Sequence, residues 1–146
     1  MRPDDSQNAA HPAPIRLLLV DDEKGFVDVL SKRLAKRNIL ATQAFSGSEG
    51  IRLLRRADFD VAVLDLKLED MDGIEILKIF KKMDPALPVI MLTGHGSAKA
   101  SREGMRHGAF DYLTKPHELS ELVAKINEAV RQKEKTEDSD ETASCR

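Results

Sequence analysis

The sequence has one cysteine, no long apolar run and no large excess of charge of either sign. Cys145 has no partner within the chain, which argues against a disulfide framework and favours a reducing, cytoplasmic setting. No unbroken apolar stretch exceeds the four residues of Leu17–Val20, far fewer than the roughly 20 that a membrane helix needs. The N-terminal segment also lacks the basic start and apolar run of a secretory signal. We therefore expect an unexported protein without a membrane segment.

Length and charge exclude further classes of protein. A chain of 146 residues accommodates one ordinary domain with its own core. Its 23 basic and 25 acidic side chains give a net charge of −2, which provides no basic field for a phosphate backbone, so nucleic acid is not an expected direct partner. Residues 1–14 and 134–146 have too few apolar side chains to offset the entropy of ordering, and both are predicted to be disordered. The folded unit is predicted to span residues 15–133.

Two periodicities alternate within that unit. Continuous apolar runs are typical of parallel strands that are covered on both faces, and weaker alternating runs suit edge strands. Helical patterns separate these runs, and in the first of them Phe26, Leu30 and Leu34 recur at helical spacing. The predicted strands are Ile15–Val20, Leu40–Phe45, Val61–Leu64, Val89–Leu92 and Ala109–Leu113. Five β-then-α units with right-handed crossovers predict an α/β fold, a doubly wound five-stranded parallel sheet in the order 2-1-3-4-5 with five helices.

The fourth predicted helix, over residues 97–107, differs from the others. It has only Ala98, Ala100 and Met105 to pack, and it contains Gly104. A helix with so little apolar surface to bury is held weakly. We therefore expect this segment to be able to shift.

Four predicted strands end in polar side chains that can handle a phosphoryl group. These residues are Asp21 and Asp22, Asp65, Thr93 and Lys115. The carboxyl ends of parallel strands lie side by side, so the four sites should meet in one pocket. Each close pair of carboxylates repels by about 4 kcal/mol at an effective dielectric near 20. A hard divalent cation, Mg²⁺, is the expected counterion.

A carboxylate can itself accept a phosphoryl group. Asp65 is the best candidate acceptor because it lies on the central strand, while Asp21 and Asp22 form a neighbouring metal-binding pair. Thr93 and Lys115 can supply a hydroxyl and a positive charge to an anion with several oxygens. Each residue also has a purely structural interpretation, as a helix cap, a turn residue or a solvated lysine.

Four segments together resemble the receiver domain of two-component response regulators, in its single-domain, chemotaxis-regulator-like form with a flavodoxin-like fold. The segments are LLLVDDE at 17–23, VLDLKLEDMDG at 63–73, VIMLTGHG at 89–96 and GAFDYLTKP at 108–116. The resemblance implies a phosphoacceptor domain that assists its own phosphorylation and dephosphorylation and is not an enzyme in the usual sense. Its expected partners are a histidine kinase or histidine phosphotransfer protein, a downstream protein target and, in a phosphorylated form, a second copy of the chain.

The same resemblance implies residue roles. Asp65 is the phosphoacceptor, Asp22 binds Mg²⁺ directly and Asp21 binds it through water, and the backbone carbonyl of Lys67 is the third protein ligand. Thr93 and Lys115 contact the phosphoryl oxygens.

The implied output is conformational. Thr93 moves toward the phosphate, the ring of Tyr112 turns into the vacated space, and the face made by helix four, strand five and helix five changes for protein partners. The side chains of Lys67 and His95 flank the attacking water and are expected to tune the phosphate lifetime. The Lys115–Pro116 bond is expected to be cis.

One departure from the family concerns the loop after Asp65. Glu69 stands where the family usually has proline, followed by Asp70 and Asp72, so we expect a looser and more acidic loop.

Several alternatives remain open. The chain could be a stand-alone regulator or a receiver excised from a larger regulator or hybrid kinase. An aspartyl-nucleophile phosphohydrolase of the haloacid-dehalogenase type would have an Asp-x-Asp pair after strand one, which Asp21–Glu23 does not provide. A phosphorylation-independent binding module would be expected to lack an acidic or lysine pocket residue. The basic residues of the first helix form either a solvated face or a docking surface for a kinase; they are Lys24, Lys32, Arg33, Lys36 and Arg37.

Overall fold

The chain folds into five consecutive β–α units. The computed structural model describes residues 13–94 and 98–144, with the side chains of 136–144 left out. The strands are β1 (Ile15–Val20), β2 (Ile39–Ala44), β3 (Val61–Asp65), β4 (Val89–Thr93) and β5 (Asp111–Thr114). The helices are α1 (Lys24–Ala35), α2 (Gly47–Arg56), α3 (Gly73–Met83), α4 (Ala98–Arg106) and α5 (Leu119–Ser144).

The five strands form one parallel sheet in the order β2-β1-β3-β4-β5. The predicted doubly wound topology is therefore confirmed. The strand boundaries agree with the prediction to within two residues. The largest shift is in β5, which begins at Asp111 rather than Ala109. The chain thus leaves β1, β3, β4 and β5 at the same edge of the sheet.

Alternate residues of each strand pack on opposite faces of the sheet. On one face, Leu17, Leu19 and Val63 pack with residues of α1 and α5, including Leu30 and Ile126. The opposite face packs against α2 and α3. Its buried residues include Leu18, Leu64, Leu54, Leu77 and Phe80. Burial on both faces explains why β1, β3 and β4 read as continuous apolar runs.

The first helix packs on the core through the predicted residues Phe26, Leu30 and Leu34 and also through Val27. Its fully buried side chains are Val27, Leu30 and Leu34, and Phe26 is half-buried. Phe26 is only partly buried, and its ring contacts Lys115 and His117, which follow β5.

The fourth helix is packed through its small residues. Ser101 and Gly104 are buried, whereas Met105 is 41% exposed, so the prediction that Met105 packs inward is wrong. A β-carbon on Gly104 would lie 2.1 Å from the sulfur of Met91, which shows how closely α4 approaches β4. The backbone lies so near the sheet that only small side chains fit beneath it. The prediction that α4 buries few large apolar groups therefore stands, although through different residues.

The C-terminus also differs from the prediction. Residues 134–144, predicted to be disordered, continue α5 to Ser144. Glu and Lys are strong helix formers, and the helix already has its buried face fixed up to Val130, so propagation adds residues without a new nucleation step. The predicted disorder of residues 1–12 lies outside the described part of the chain. Among the helices that the structure describes, none combines the length and apolar character needed to cross a membrane.

Candidate functional site

Three carboxylates lie together at the carboxyl ends of the two central strands. Asp21 and Asp22 follow β1 directly, and Asp65 is the last residue of β3. Val20 pairs with Leu64 in the parallel register, which brings the two strand ends level. Ligand oxygens of the three side chains lie within 4.8 Å of one another. The structure thus brings together the three acidic residues that the sequence predicted to meet.

Burial differs among the three carboxylates. Asp21 is fully buried, Asp65 is 6% exposed, and Asp22 is half-buried. Acidic residues are rarely buried unless they are paired or bind a metal. Asp21 and Asp65, the two inner carboxylates, therefore require positive charge close by.

Lys115 supplies part of that charge. Its Nζ atom lies 3.0 Å from Oδ2 of Asp21 and 3.3 Å from Oδ2 of Asp65. The backbone N–H of Lys115 donates to the carbonyl of Thr93 at 2.7 Å, which ties the residue to the end of β4. Burial alone would lower the pKa of Lys115, but the hydrogen bond to Asp21 and the charges of Asp65 and Asp21 outweigh it and raise that pKa. The ammonium therefore stays charged between the two carboxylates.

Backbone groups fix the orientation of both inner carboxylates. The N–H of Glu23 donates to Oδ1 of Asp21 at 3.0 Å, and the N–H of Lys67 donates to Oδ1 of Asp65 at 3.0 Å. In each case the second oxygen, Oδ2, accepts from Lys115. One oxygen of each carboxylate is thus held by a backbone N–H of the local turn, while the other oxygen accepts from the ammonium of Lys115, which the two carboxylates share.

The electrostatics of Asp65 are unfavourable to its charged form. Burial raises the pKa of the Asp65 carboxyl, and the charge of Asp21 raises it further. The N–H of Lys67 and the ammonium of Lys115 act in the opposite direction but do not cancel this effect. Three carboxylates and one ammonium leave a net charge of −2 at the site when all are ionised. A group of oxygen donors with this excess charge fits a hard divalent cation such as Mg²⁺.

Thr93 is the last residue of β4, and Tyr112 lies on the neighbouring strand β5. The Thr93 side chain is buried, and its hydroxyl donates to the carbonyl of Leu113 at 3.4 Å. The Tyr112 residue is 41% exposed. The structure therefore places a hydroxyl donor at the end of β4, and that hydroxyl is hydrogen-bonded to the neighbouring strand β5.

The loop after Asp65 is anchored rather than loose. The carboxylate of Asp70 accepts from the N–H of Gly47 at 2.9 Å, from the N–H of Ser48 at 3.1 Å and from the Ser48 hydroxyl at 2.8 Å. The hydrogen bonds from the two backbone N–H groups lower the pKa of Asp70. The acidic residue thus ties this loop to the start of α2, and the expected looseness is not seen.

The remaining predicted residues are placed as follows. Lys67 is exposed, and its backbone forms an isolated antiparallel β-bridge with the backbone of Asp72. The Lys115–Pro116 bond is cis, as the resemblance implied. His95 lies outside the residues that the structure describes.

Two aromatic residues at the site were not predicted. The ring of Phe26 lies against Lys115, and the ring of His117 packs against Phe26. The sequence placed Phe26 in a core stripe, and His117 follows the Lys-Pro pair without any motif to mark it. The two rings meet because the fold places α1 beside the chain that follows β5, and the sequence alone does not show this proximity.

Comparison with known proteins agrees with this geometry. The family model described as the response regulator receiver domain matches residues 17–127. The transcriptional regulatory protein GlrR of Escherichia coli is 38% identical over 119 residues, which cover 82% of this chain and 27% of that protein. The transcriptional regulatory protein TrcR of Mycobacterium tuberculosis is 38% identical over 122 residues, which cover 84% of this chain and 48% of that protein. The chain thus spans less than half the length of these two relatives.

Solved structures give the same result. A CheY-like response regulator receiver domain protein from Methanospirillum hungatei has a TM-score of 0.81 and 32% identity, covering 84% of this chain and 98% of that one. A response regulator receiver domain protein from Clostridium thermocellum has a TM-score of 0.79 and 33% identity, covering 82% and 97%. The chain therefore belongs to the family of response regulator receiver domains, which serve in two-component signalling.

Proposed function

We propose that this chain is a Mg²⁺-dependent phosphoacceptor switch in which Asp65 receives a phosphoryl group. The observation that carries the proposal is the convergence of Asp21, Asp22 and Asp65 on one cation-binding pocket, with Lys115 bonded to both inner carboxylates. A passive binding surface would gain nothing from burying charges that repel one another. A site that must neutralise a phosphoryl group needs such donors in place beforehand.

The proposed reaction is an in-line phosphoryl transfer. A carboxylate oxygen of Asp65 forms a bond to phosphorus while the bond from phosphorus to the donor breaks, the donor being a phosphohistidine or a small acyl phosphate. The N–H of Lys67 holds Oδ1 of Asp65, so the carboxylate cannot rotate freely during attack. Lys115, already 3.3 Å from Oδ2, then faces the oxygens of the incoming group.

Asp21, Asp22, Asp65 and the backbone carbonyl of Lys67 are the proposed Mg²⁺ ligands, Asp22 directly and Asp21 through water. When bound, the ion supplies charge neutralisation for the phosphoryl oxygens. The three carboxylates have the oxygen chemistry that Mg²⁺ prefers. The side chain of Lys67, which is exposed beside this pocket, is proposed to tune access of water to the phosphoryl group.

The proposed output is a change in the face made by α4, β5 and α5. The Thr93 hydroxyl would exchange the carbonyl of Leu113 for a phosphoryl oxygen, and Tyr112 would turn inward from its exposed position. The thin packing of α4 on Ser101 and Gly104 supports this proposal, because few large side chains must be rearranged. Driving such a switch nearly to completion takes roughly 5.5 kcal/mol.

The proposed partners are a histidine kinase or a histidine phosphotransfer protein and a downstream protein. The exposed basic side chains on α1 and in the turn directly after it are candidate docking groups for the donor; they are Lys24, Lys32, Arg33, Lys36 and Arg37. Among described residues none of the five forms a carboxylate ion pair within 4.0 Å. Reversing two of these charges should slow transfer from a phosphorylated kinase and leave phosphorylation by acetyl phosphate unchanged. Equal rates from the kinase would contradict the docking role.

The test of the central proposal is the intact mass after incubation with acetyl phosphate, with and without Mg²⁺. We expect a gain of one phosphoryl group that requires Mg²⁺ and is lost in Asp65→Asn. The matched control is Asp60→Asn, which removes a carboxylate at the opposite end of β3 and should be phosphorylated like the wild type. Failure of the wild-type chain to gain mass from acetyl phosphate and from a phosphorylated kinase would refute the proposal and favour a phosphorylation-independent module.

A further inference from the structure

The ammonium of Lys115 has a third partner besides the two carboxylates. Its Nζ atom lies 4.8 Å from the centroid of the Phe26 ring. A cation within about 6 Å of a ring centroid is attracted by the negative face of the ring, and more strongly where water is partly excluded. The Lys115 side chain is 25% exposed, so this contact is partly desolvated. Phe26 lies in the first turn of α1, so a helix as well as two strands holds the lysine.

The ring of Phe26 is in turn held by His117. The two ring centroids are 6.3 Å apart and the planes meet at 79°, an edge-to-face arrangement. Both ring nitrogens of His117 are buried, and neither has a hydrogen-bond partner among the described residues. A buried polar atom without a partner costs free energy, so this arrangement needs a compensating contact. The contact that the structure offers is the packing of the imidazole as an aromatic ring against Phe26.

We propose that Phe26 is a positioning residue for Lys115 and that His117 holds the Phe26 ring in place for that purpose. This inference rests on the proposed role of Lys115 in phosphoryl transfer to Asp65. Lysine has a long flexible stem, and fixing it costs side-chain entropy. A ring face attracts the ammonium across its whole area, so Lys115 can move from Oδ2 of Asp65 to a phosphoryl oxygen without leaving its aromatic partner. Without the ring, only the contact with Asp21 would hold the ammonium during that movement.

The first experiment compares Phe26→Leu with Phe26→Tyr. Leucine keeps apolar bulk and removes the ring, whereas tyrosine keeps the ring. We expect Phe26→Leu to slow phosphorylation by acetyl phosphate about fivefold, the factor given by the loss of one partly desolvated cation–π contact. Phe26→Tyr should restore the rate to within about twofold of the wild type, because a tyrosine face also attracts cations.

A second measurement does not depend on phosphorylation. The ε-methylene protons of Lys115 lie near the ring face, so their NMR signals should be shifted upfield by the ring current. We expect this upfield shift in the wild type and in Phe26→Tyr and its loss in Phe26→Leu. The matched control is Phe45→Leu, because Phe45 makes a similar contact with a different lysine, Lys24, at 5.4 Å. That variant should leave the Lys115 signals unchanged.

His117 is tested by the same two measurements. His117→Phe keeps an aromatic ring against Phe26 and removes the unpartnered nitrogens, so it should retain the rate and the Lys115 signal and raise the melting temperature. His117→Leu should reduce both the rate and the upfield shift, in the same direction as Phe26→Leu.

Three results would overturn the inference. Phe26→Leu could leave the Lys115 signal unchanged, it could change the signal without slowing phosphorylation, or Phe26→Tyr could behave like Phe26→Leu. A wild-type protein that accepts no phosphoryl group would refute the proposed function instead. In that case the NMR comparison still shows whether Phe26 positions Lys115.

Discussion

Replacing Asp65 by asparagine should stabilise this protein when no divalent cation is present. The carboxylate is buried next to Asp21 and Asp22, and its pKa is raised because burial and the charge of Asp21 disfavour ionisation. Asparagine keeps an oxygen that can accept from the N–H of Lys67, the bond that now measures 3.0 Å. The substitution therefore removes an unfavourable charge while it keeps the local turn.

The size of the effect follows from distances at the site. Oxygens of the three carboxylates lie within 4.8 Å, and at an effective dielectric of 20 each repulsion is about 3.5 kcal/mol. Asp65 takes part in two such repulsions and in one attraction to Lys115, at 3.3 Å, of about 5 kcal/mol. The balance favours asparagine by about 2 kcal/mol, which corresponds to a rise in melting temperature of roughly 6 °C for a domain of this size.

The pH dependence has a definite sign. A raised pKa in the folded state means that folding favours the protonated carboxyl. The wild-type protein therefore keeps this contribution below the usual aspartate range and loses it as the pH rises through the raised pKa of Asp65. Asp65→Asn has no such titration. The stability difference between the two proteins should be small below the usual aspartate range, increase through this window and be complete above the raised pKa of Asp65.

Thermal unfolding followed by circular dichroism in EDTA measures the difference. The control is Asp60→Asn, for which the opposite sign is expected. Burial would raise the pKa of Asp60, but hydrogen bonds from the backbone and guanidinium of Arg16 outweigh it and lower that pKa. Removing this exposed ion pair should cost up to about 1 kcal/mol. Addition of Mg²⁺ should stabilise the wild type more than Asp65→Asn. If Asp65→Asn melts at or below the wild-type temperature in EDTA, carboxylate repulsion does not govern this pocket.

Three further predictions concern the elements around the site. Gly73→Ala should destabilise the protein by about 1–3 kcal/mol in urea unfolding, because its β-carbon would lie 2.4 Å from the Cα of Leu66; an unchanged midpoint would contradict that close approach. Ser46→Ala should cost about 1 kcal/mol by the same measurement, since its side chain caps α2 by accepting from the N–H of Glu49, whereas Ser46→Asp should retain the cap. Asp70→Asn should weaken Mg²⁺ binding, measured by calorimetry, by less than about tenfold, because it loosens the loop that follows Asp65; equal affinity would show that this anchor does not support the pocket.

The strand pattern and the site residues were predictable for the same physical reason. Strands covered on both faces must be apolar throughout, so a polar residue directly after such a run marks the edge of the sheet. This rule located Asp21, Asp65 and Thr93, whereas Lys115 follows the edge strand β5; the parallel topology then placed the four together. It did not depend on side-chain packing, which a sequence does not show.

Packing determines the features that were missed. Met105 was expected to be one of the packing residues of α4, but the helix lies on Gly104, because Met91 of β4 occupies the space that a larger residue would need. The extension of α5 was missed because a polar segment gives no apolar periodicity, even though its residues favour helix once a helix precedes them. The anchor made by Asp70 depends on the position of α2, more than twenty residues earlier in the chain.

The charge of the pocket gives a physical reason for the proposed coupling between phosphorylation and movement of Thr93. With all groups ionised, the three carboxylates and Lys115 sum to −2, which one divalent cation would neutralise. Under the proposed function, transfer consumes the carboxylate of Asp65 and adds a phosphoryl group of charge close to −2, so the pocket becomes more negative by about one charge. A hydroxyl group forms a stronger hydrogen bond with a charged phosphoryl oxygen than with a neutral carbonyl oxygen. Hydrogen bonds to ionised acceptors are roughly twice as strong as those between neutral groups. The Thr93 hydroxyl, now 3.4 Å from the carbonyl of Leu113, is a buried donor in a long and weak bond, and it can exchange that bond at little cost.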